Sequence, residues 1–424
     1  MKSEWSLGWA GRLWIAALVL LVAFAFPLPW PETTFMPDTL GYADAVEAGR
    51  WVAHAPGYPF FVGLGRLFNL ALKEPVASVQ WSSFVLYLGS IVLMSGVFWP
   101  MLGRGRALLL AGSYAVAWIP LYFSRSGTNH AADLFTVALM IFGLGCARFG
   151  QQNSRGLWIY CGAMVLCAGF RLPSFLMLAP LFVVVLFIYH RRWLVWAGYG
   201  LAALAVIGVQ AFAIACFGGW ESFRLTSAQL ADGTDKTSIL LSGLTPAAGT
   251  NFARALLWYG MTGGIFGPVL LVALRAKRRA FLSDRRVWMA CAAIFGPLGV
   301  NALYLSTHPG YLAVAVPGTF WLVALAWEHL QGAKWLAWVV VAAAVMSGGF
   351  FLGFRIFDPP QSPAQAVLNG FVLQYSRDGI DRQVWRPAAE WLLISGDETL
   401  IPESRRKSLE GYLKSRESRN LTPP

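Results

Sequence analysis

Long apolar runs, separated by short polar or basic segments, dominate the pattern along this chain. A helix that crosses a bilayer needs about 20 mostly apolar residues. Eleven runs approach that length, so the pattern predicts an all-α polytopic membrane protein with about eleven transmembrane helices. The predicted spans are roughly 9–28, 79–99, 106–122, 131–149, 156–169, 174–189, 193–217, 254–274, 287–305, 311–328 and 335–354.

Two stretches depart from this simple pattern. Arg171-Leu172-Pro173 lies between two short runs, and proline removes a backbone hydrogen bond from a helix, so broken or tilted helices are expected there. Pro59–Leu72 is also apolar, but it has only 14 residues and carries Arg66 near its middle. Such a segment is short for a crossing. We therefore predict a juxtamembrane or re-entrant helix on the outer face.

Basic residues give the chain its predicted orientation. With the N-terminus in the cytoplasm, the cytoplasmic segments hold fifteen lysines and arginines, and the outer loops up to residue 354 hold eight. This asymmetry agrees with the positive-inside rule for a multi-pass protein of the cytoplasmic (inner) membrane. A competing threading, with the N-terminus outside and Pro59–Leu72 crossing, fits the charges nearly as well. It would move the loop around Asp38 to the cytoplasm.

Composition excludes several other classes of protein. Of the 424 residues, 57% are hydrophobic and only 13% are charged, whereas soluble domains carry about 25% charged residues. The net charge of +12 reflects topology signals, and no basic motif indicates a nucleic-acid partner. The five cysteines lie in apolar segments without disulfide or zinc spacing. We predict a transmembrane module over 1–354, with its first outer loop at 29–78, and a small, partly disordered extracytoplasmic tail over 355–424.

The first outer loop carries the most informative polar residues. Carboxylates beside a bilayer are costly unless they stay hydrated or have partners, so Asp38 and Asp44 mark a candidate site. Asp38 suits either the cap of a helix or a general base that deprotonates an acceptor. Asp44 also suits a solvated helix position. His54 precedes a proline- and glycine-rich turn, which either presents it to a phosphate or is merely structural.

Other candidates lie at the same predicted face. Arg125, His130 and Asp133 form a polar cluster at the start of a span, although Asp133 also suits the dipole of a helix N-terminus. Arg171 suits a lipid phosphate, since guanidinium groups match phosphate geometry, or simple snorkelling to the headgroups. His308 opens a later span together with Tyr311, where an interfacial anchor is the plainer interpretation.

The order of these motifs resembles that of the GT-C glycosyltransferases. This family includes protein O-mannosyltransferases, aminoarabinose transferases of lipid A and related bacterial enzymes. The resemblance covers roughly residues 10–330. It rests on Pro-Asp-Thr-x-x-Tyr (37–42), His-x-Pro-Gly-Tyr-Pro (54–59) with the apolar helix that follows, Ser124–Asp133, Arg171-Leu172-Pro173-Ser174 and His308-Pro309-Gly310-Tyr311.

The resemblance implies a GT-C-like bundle that moves a sugar from a polyprenyl-phosphate donor to an outer-face acceptor, with inversion at the anomeric carbon. Asp38 would be the general base, and Asp44 or Asp133 would supply a second acid. Arg171 and His308 would contact the donor phosphate, and His54 stands where relatives often carry Lys, Glu or His. The further substrate-binding candidates are Tyr42, Tyr58, Arg125, His130 and Tyr311. The acceptor is a glycan, a lipid or a protein, and membrane lipids are further partners. No metal ligand set is predicted, although a divalent metal is left open.

Two other functions compete with this interpretation. A transporter or lipid flippase would place charges near the bilayer midplane and show inverted repeats, whereas here the ionisable residues cluster at one face and no repeat is visible. A non-catalytic subunit of a polysaccharide assembly complex is the third candidate. An enzyme requires Asp38, Asp133, Arg171 and His308 to converge on one cavity, which a scaffold does not.

Overall fold

The computed structural model describes residues 37–53, 57–124, 126–146, 154–225, 238–304, 309–330 and 333–353. Within these ranges the protein is helical and contains no strand, as the apolar pattern predicts. The predicted first span at 9–28 and the tail at 355–424 lie outside the described residues. The division into a transmembrane module and a tail therefore stays a prediction.

The described helices follow the predicted spans closely along the chain. They are α1 (Pro37–Glu47), α2 (Pro59–Leu72), α3 (Pro75–Leu102), α4 (Arg104–Val116), α5 (Trp118–Phe123), α6 (His130–Cys146), α7 (Ser154–Met177), α8 (Ala179–Tyr189), α9 (Trp193–Cys216), α10 (Ile239–Ser242), α11 (Pro246–Thr262), α12 (Gly267–Ser283), α13 (Arg285–Leu303), α14 (Val316–His329) and α15 (Trp335–Gly353), with 3-10 helices at Gly264–Phe266 and Pro309–Ala315.

Several of these helices are long and apolar enough to cross a bilayer, which confirms a multi-pass membrane protein. Five qualify in the described part of the chain: α3, α9, α13, most of α7, and α14 together with the 3-10 turns before it. The pair α11 and α12, bent by 60°, is a candidate sixth. Shorter apolar helices overlap the predicted spans at 131–149, 174–189 and 335–354, and the count of about eleven stays a prediction.

Two predicted spans are broken in the structure, and two others are joined in part. The run at 106–122 divides into α4 and α5 at Ala117, whose backbone is extended. There the backbone N–H of Trp118 donates instead to the Ser347 hydroxyl of α15, at 2.9 Å. The run at 254–274 breaks at the glycines between α11 and α12. The runs at 156–169 and 174–189 are joined in part, since α7 continues to Met177 through a kink.

The segment Pro59–Leu72 is a helix, α2, with one buried and one exposed face. Phe61 and Val62 are buried, whereas Leu67 and Leu70 are largely exposed. Arg66 does not point into an apolar core: its Nη1 donates to the carbonyl of Gly49 at 3.0 Å, and its Cζ lies 4.4 Å from the ring centre of Trp51. This packing explains how an apolar helix accommodates an arginine. Whether α2 crosses the membrane stays a prediction.

The core of the described structure surrounds α3, α6, α7 and α14. Helices α6 and α7 approach so closely that a Cβ on Gly143 would lie 2.7 Å from the carbonyl oxygen of Gly156. Small residues at such a contact allow helix backbones to pack without a hydrophobic driving force from water. Because α6 and α7 are held this tightly, side chains at the first turn of α6 have a fixed position against the end of α7.

Candidate active site

A buried ion pair joins α6 to α7. Nη1 of Arg171 donates to Oδ2 of Asp133 at 2.6 Å and to the hydroxyl of Ser174 at 3.1 Å. Arg171 is 2% exposed and Asp133 is 1% exposed. Both hydrogen bonds use Nη1, so the Nε and Nη2 edge of the guanidinium is directed elsewhere.

Local sequence produces this geometry. Pro173 has no backbone N–H, and its ring clashes with the carbonyl four residues earlier in a helix, so a kink is expected just before it. The kink lies at Arg171, two residues before Pro173, where the backbone is extended at φ −163° and ψ 95°. Asp133 lies in the first turn of α6, where a carboxylate is also favoured by the helix dipole. The kink thus places the arginine beside the start of the neighbouring helix.

Aromatic rings enclose the ion pair. The Tyr311 ring lies 4.5 Å from Cζ of Arg171, a cation–π distance. His130 packs edge-on against Phe123, with ring centres 4.7 Å apart, and against Tyr311 at 5.8 Å. A Cβ on Gly310 would clash with the His130 ring. Side chains predicted from three separate loops therefore meet at one place.

The same place holds polar atoms that the described residues leave unsatisfied. Oδ1 of Asp133 and Nδ2 of Asn129 are buried, and no described group hydrogen-bonds to either atom. Buried polar groups in native proteins are nearly always paired, so each such exception needs an explanation. Ser174 and Asn129 are the residues to which the sequence pattern assigned no role. Their positions after Pro173 and before His130 were the available signal.

The start of α1 lies against the turn that precedes α6. The hydroxyl of the buried Thr39 donates to the carbonyl of Ser126. Gly127 has φ +63°, and a Cβ there would lie 2.7 Å from Cγ2 of Thr39. Asp38 precedes Thr39 in the first turn of α1, and its side chain lies outside what the structure describes. The backbone that carries Asp38 is therefore packed beside the helix that carries Asp133.

Tyr42 and Tyr58 connect the first loop to the site. Tyr42 is buried and packs edge-on against Tyr58, with ring centres 5.9 Å apart, and against Phe61 at 4.9 Å. Tyr58 has a left-handed backbone, at φ 54°, directly before α2. It also lies near enough to Arg171 to interact with it electrostatically. These two tyrosines thus join α1 and α2 to the ion pair.

The remaining predicted site residues are elsewhere or not described. Asp44 is exposed on α1 and pairs with Arg50, so its carboxylate faces outward and is not part of the buried cluster. His54, Arg125 and His308 lie outside the described residues, and their roles stay predictions. Among the described residues, no group of three or more His, Cys, Asp or Glu side chains is arranged to hold a metal ion.

Comparison with known proteins identifies the fold. No protein-family model and no curated protein matches the chain. The structure is similar to that of ArnT from Cupriavidus metallidurans in the apo state, with 16% identity, 88% of this chain and 72% of that chain covered, and a TM-score of 0.50. The ArnT structure bound to undecaprenyl phosphate gives 15% identity, 88% and 79% coverage, and a TM-score of 0.47. The chain has the GT-C glycosyltransferase fold, which confirms the fold expected from the motifs.

Proposed function

We propose that this protein is a membrane glycosyltransferase that moves a sugar from a polyprenyl-phosphate donor to an acceptor at the outer face of the cytoplasmic membrane. The observation that carries the proposal is the buried Arg171–Asp133 pair beside the first turn of α1, within a GT-C fold. An ion pair in a membrane bundle is expensive to bury, and such charges usually mark substrate sites. ArnT, the similar protein, has been crystallised with undecaprenyl phosphate.

The residues divide the reaction between them. The Asp38 carboxylate takes a proton from an acceptor hydroxyl or amine as that atom attacks the anomeric carbon. The new glycosidic bond forms as the bond from the anomeric carbon to the phosphate oxygen breaks, with inversion. The leaving polyprenyl phosphate keeps that electron pair, and the free edge of Arg171, together with His308, stabilises its charge.

Asp133 acts as a positioning residue in this scheme. Its Oδ2 holds one nitrogen of Arg171, so the guanidinium is oriented before the donor arrives. Orienting a charged group in advance removes a reorganisation cost from the transition state. The orphaned Oδ1 of Asp133 and Nδ2 of Asn129 supply an acceptor and a donor for sugar hydroxyls. Because the helix bundle lies in the membrane, the long polyprenyl tail of the donor stays in the lipid while its phosphate reaches the site.

Comparing two aspartates of α1 tests this assignment. Purified protein in liposomes is incubated with polyprenyl-phosphate sugars, and released polyprenyl phosphate is measured. Asp38→Asn should lower turnover by at least about 100-fold, a typical contribution of a general base. The matched variant Asp44→Asn alters an exposed carboxylate six residues later and should keep wild-type turnover. Wild-type turnover in Asp38→Asn would show that Asp38 is not the general base. Transport or flipping of the lipid without formation of a glycosidic bond would show that the protein is a transporter and not a glycosyltransferase.

A further inference from the structure

A cavity lies far from the candidate active site, where the end of α8 meets the start of α13. Its volume is about 770 Å³. Its walls combine three basic residues with apolar and aromatic ones, among them Arg191, Arg192, Arg285, Val183, Phe187 and Trp288. This combination of charge and apolar surface is unlike that of the buried ion pair, and neither the fold nor the proposed transfer reaction accounts for it.

The length of helix α13 gives the distance between this cavity and the candidate active site. Near its end, Nδ2 of Asn301 donates to the carbonyl of Tyr311 at 3.2 Å, beside the Arg171 cluster. Arg285, which lines the cavity, begins the same helix. At 1.5 Å per residue these positions are about 24 Å apart, close to the thickness of a bilayer core. The cavity therefore opens at the opposite membrane face, the one that the basic loops predict to be cytoplasmic.

The rim of the cavity has a strong positive charge. Among the described residues that line it, three are arginines and none is acidic. The nearest acid in sequence, Asp284, is already hydrogen-bonded by Arg286 and lies 3.2 Å from Nε2 of His329. The described lining of the rim thus presents three guanidinium groups and no carboxylate, which favours an anionic ligand.

Below its rim, the cavity is lined by apolar side chains that are exposed on the surface of the protein. Val183 and Phe187 lie one helical turn apart on α8 and are 65% and 77% exposed, and Trp288 on α13 is 54% exposed. The indole N–H of Trp288 donates to the carbonyl of Leu282 at 2.8 Å, which holds the ring at the end of the helix. Tryptophan is enriched at the level of lipid headgroups. Below this level, exposed aliphatic and aromatic side chains contact acyl chains.

We propose that this pocket binds an anionic phospholipid of the surrounding leaflet. Its phosphate lies against Arg191, Arg192 and Arg285, and its acyl chains follow Val183 and Phe187. Guanidinium groups form paired hydrogen bonds with phosphate oxygens, and basic pockets between transmembrane helices suit anionic headgroups. Because three cations line the rim, a lipid with two phosphates binds more tightly than one with a single phosphate.

Native mass spectrometry of the purified full chain tests this site. The protein is titrated with cardiolipin, phosphatidylglycerol and phosphatidylcholine of matched acyl chains. Arg192 packs near Tyr189, so the test variant leaves it intact and is Arg191→Gln/Arg285→Gln. The control is Arg278→Gln/Arg279→Gln, which removes two exposed cations of α12 from the same predicted face, outside the cavity.

The expected result is binding in the order cardiolipin, phosphatidylglycerol, phosphatidylcholine. At about 1 kcal/mol per basic residue near a membrane surface, the pocket variant should bind cardiolipin roughly 30-fold more weakly, and the control should bind it as the wild type does. Equal loss in both variants, or equal affinity for all three lipids, would overturn the proposal. So would preferential binding of polyprenyl phosphate to the pocket. If the double variant does not fold, Arg191→Gln alone, in an exposed turn, should weaken binding about fivefold.

Discussion

Two ion-pair clusters at opposite ends of the helices differ in burial and in redundancy. Arg171 and Asp133 are almost fully buried, and each is the other's only charged partner among the described acidic and basic side chains, His130 apart. At the other end, Arg286 pairs with Asp284 at 2.7 Å and with Glu328 at 3.1 Å, and its side chain is 30% exposed. Several partners and contact with water make this second cluster, Asp284–Arg286–Glu328–His329, tolerant of loss.

This difference in burial indicates that the two clusters have different roles. Asp284 accepts a hydrogen bond from the backbone N–H of Arg286 at 2.9 Å, so the half-buried cluster caps α13 and ties it to the end of α14. That is a structural role with a local sequence cause. The buried pair caps nothing comparable and leaves Oδ1 of Asp133 unsatisfied by described groups. Its cost is better explained by chemistry than by stability.

The largest effect should follow from removing the buried arginine. Arg171→Gln leaves Asp133 uncompensated in the core, which we expect to cost about 3–5 kcal/mol. Arg286→Gln, the matched change in the half-buried cluster, should cost less, about 1 kcal/mol, because this cluster keeps contact with water. Thermal unfolding of the detergent-solubilised proteins, followed by circular dichroism, compares the two. Equal destabilisation would show that burial does not distinguish the clusters.

A smaller effect should follow from changing the ring that covers Arg171. Tyr311→Leu removes the aromatic face 4.5 Å from Cζ and should cost about 1–2 kcal/mol, because this cation–π contact is desolvated. Tyr311→Phe keeps the ring and should retain most of that stability. The two variants are compared by their unfolding temperatures. If Tyr311→Phe lowered the unfolding temperature as much as Tyr311→Leu, the cation–π contact would not be the source of the stability.

The smallest effect concerns pH and the half-buried cluster around Asp284. Although burial alone would raise it, hydrogen bonds and the charge of Arg286 hold the pKa of Asp284 below its ordinary value. A carboxylate with a lowered folded-state pKa stabilises the protein above its unfolded pKa, about 3.9, and loses this stabilisation as pH falls through the folded-state pKa. The stability difference between Asp284 and Asp284→Asn proteins, both carrying His329→Gln to remove the imidazole 3.2 Å from this carboxylate, should therefore stay constant from about pH 5 to 8. Unfolding temperatures of both proteins measured across this range test the prediction. A difference that changes with pH in this range would contradict a lowered pKa of Asp284.

Sequence patterns predicted where the helices lie along the chain better than whether each helix contacts lipid or protein. Trp193–Cys216 and Gly310–His329 are both apolar spans, yet 11% of an apolar 18-residue stretch of the first and 94% of that of the second is buried inside the protein. An apolar run has the same pattern in lipid as in a protein core, so sequence could not distinguish these two helices. The break at Ala117 was also missed: Pro120, which cannot hydrogen-bond to the carbonyl of Val116, was the local signal, and the Ser347 hydroxyl of a distant helix completes the break.

The proximity of three candidate residues was predicted for an identifiable reason, and their roles stay predictions. Loop order placed Asp133, Arg171 and Tyr311 at one face, and the structure brings them into contact. Their pairing depends on the kink at Arg171 and on the close approach of α6 and α7, which are tertiary features. Asp44 shows the converse: it shares a loop with Asp38 but faces outward to Arg50.

The central claim is that the buried ion pair is retained for glycosyl transfer and not for folding. The double variant Arg171→Met/Asp133→Leu replaces both charges by apolar side chains, a change that is often neutral or stabilising in buried pairs. Unfolding temperature and release of polyprenyl phosphate should be measured on the same preparation. We expect an unfolding temperature at or above that of the wild type together with loss of transfer. A folded double variant that transfers sugar at the wild-type rate would contradict the claim.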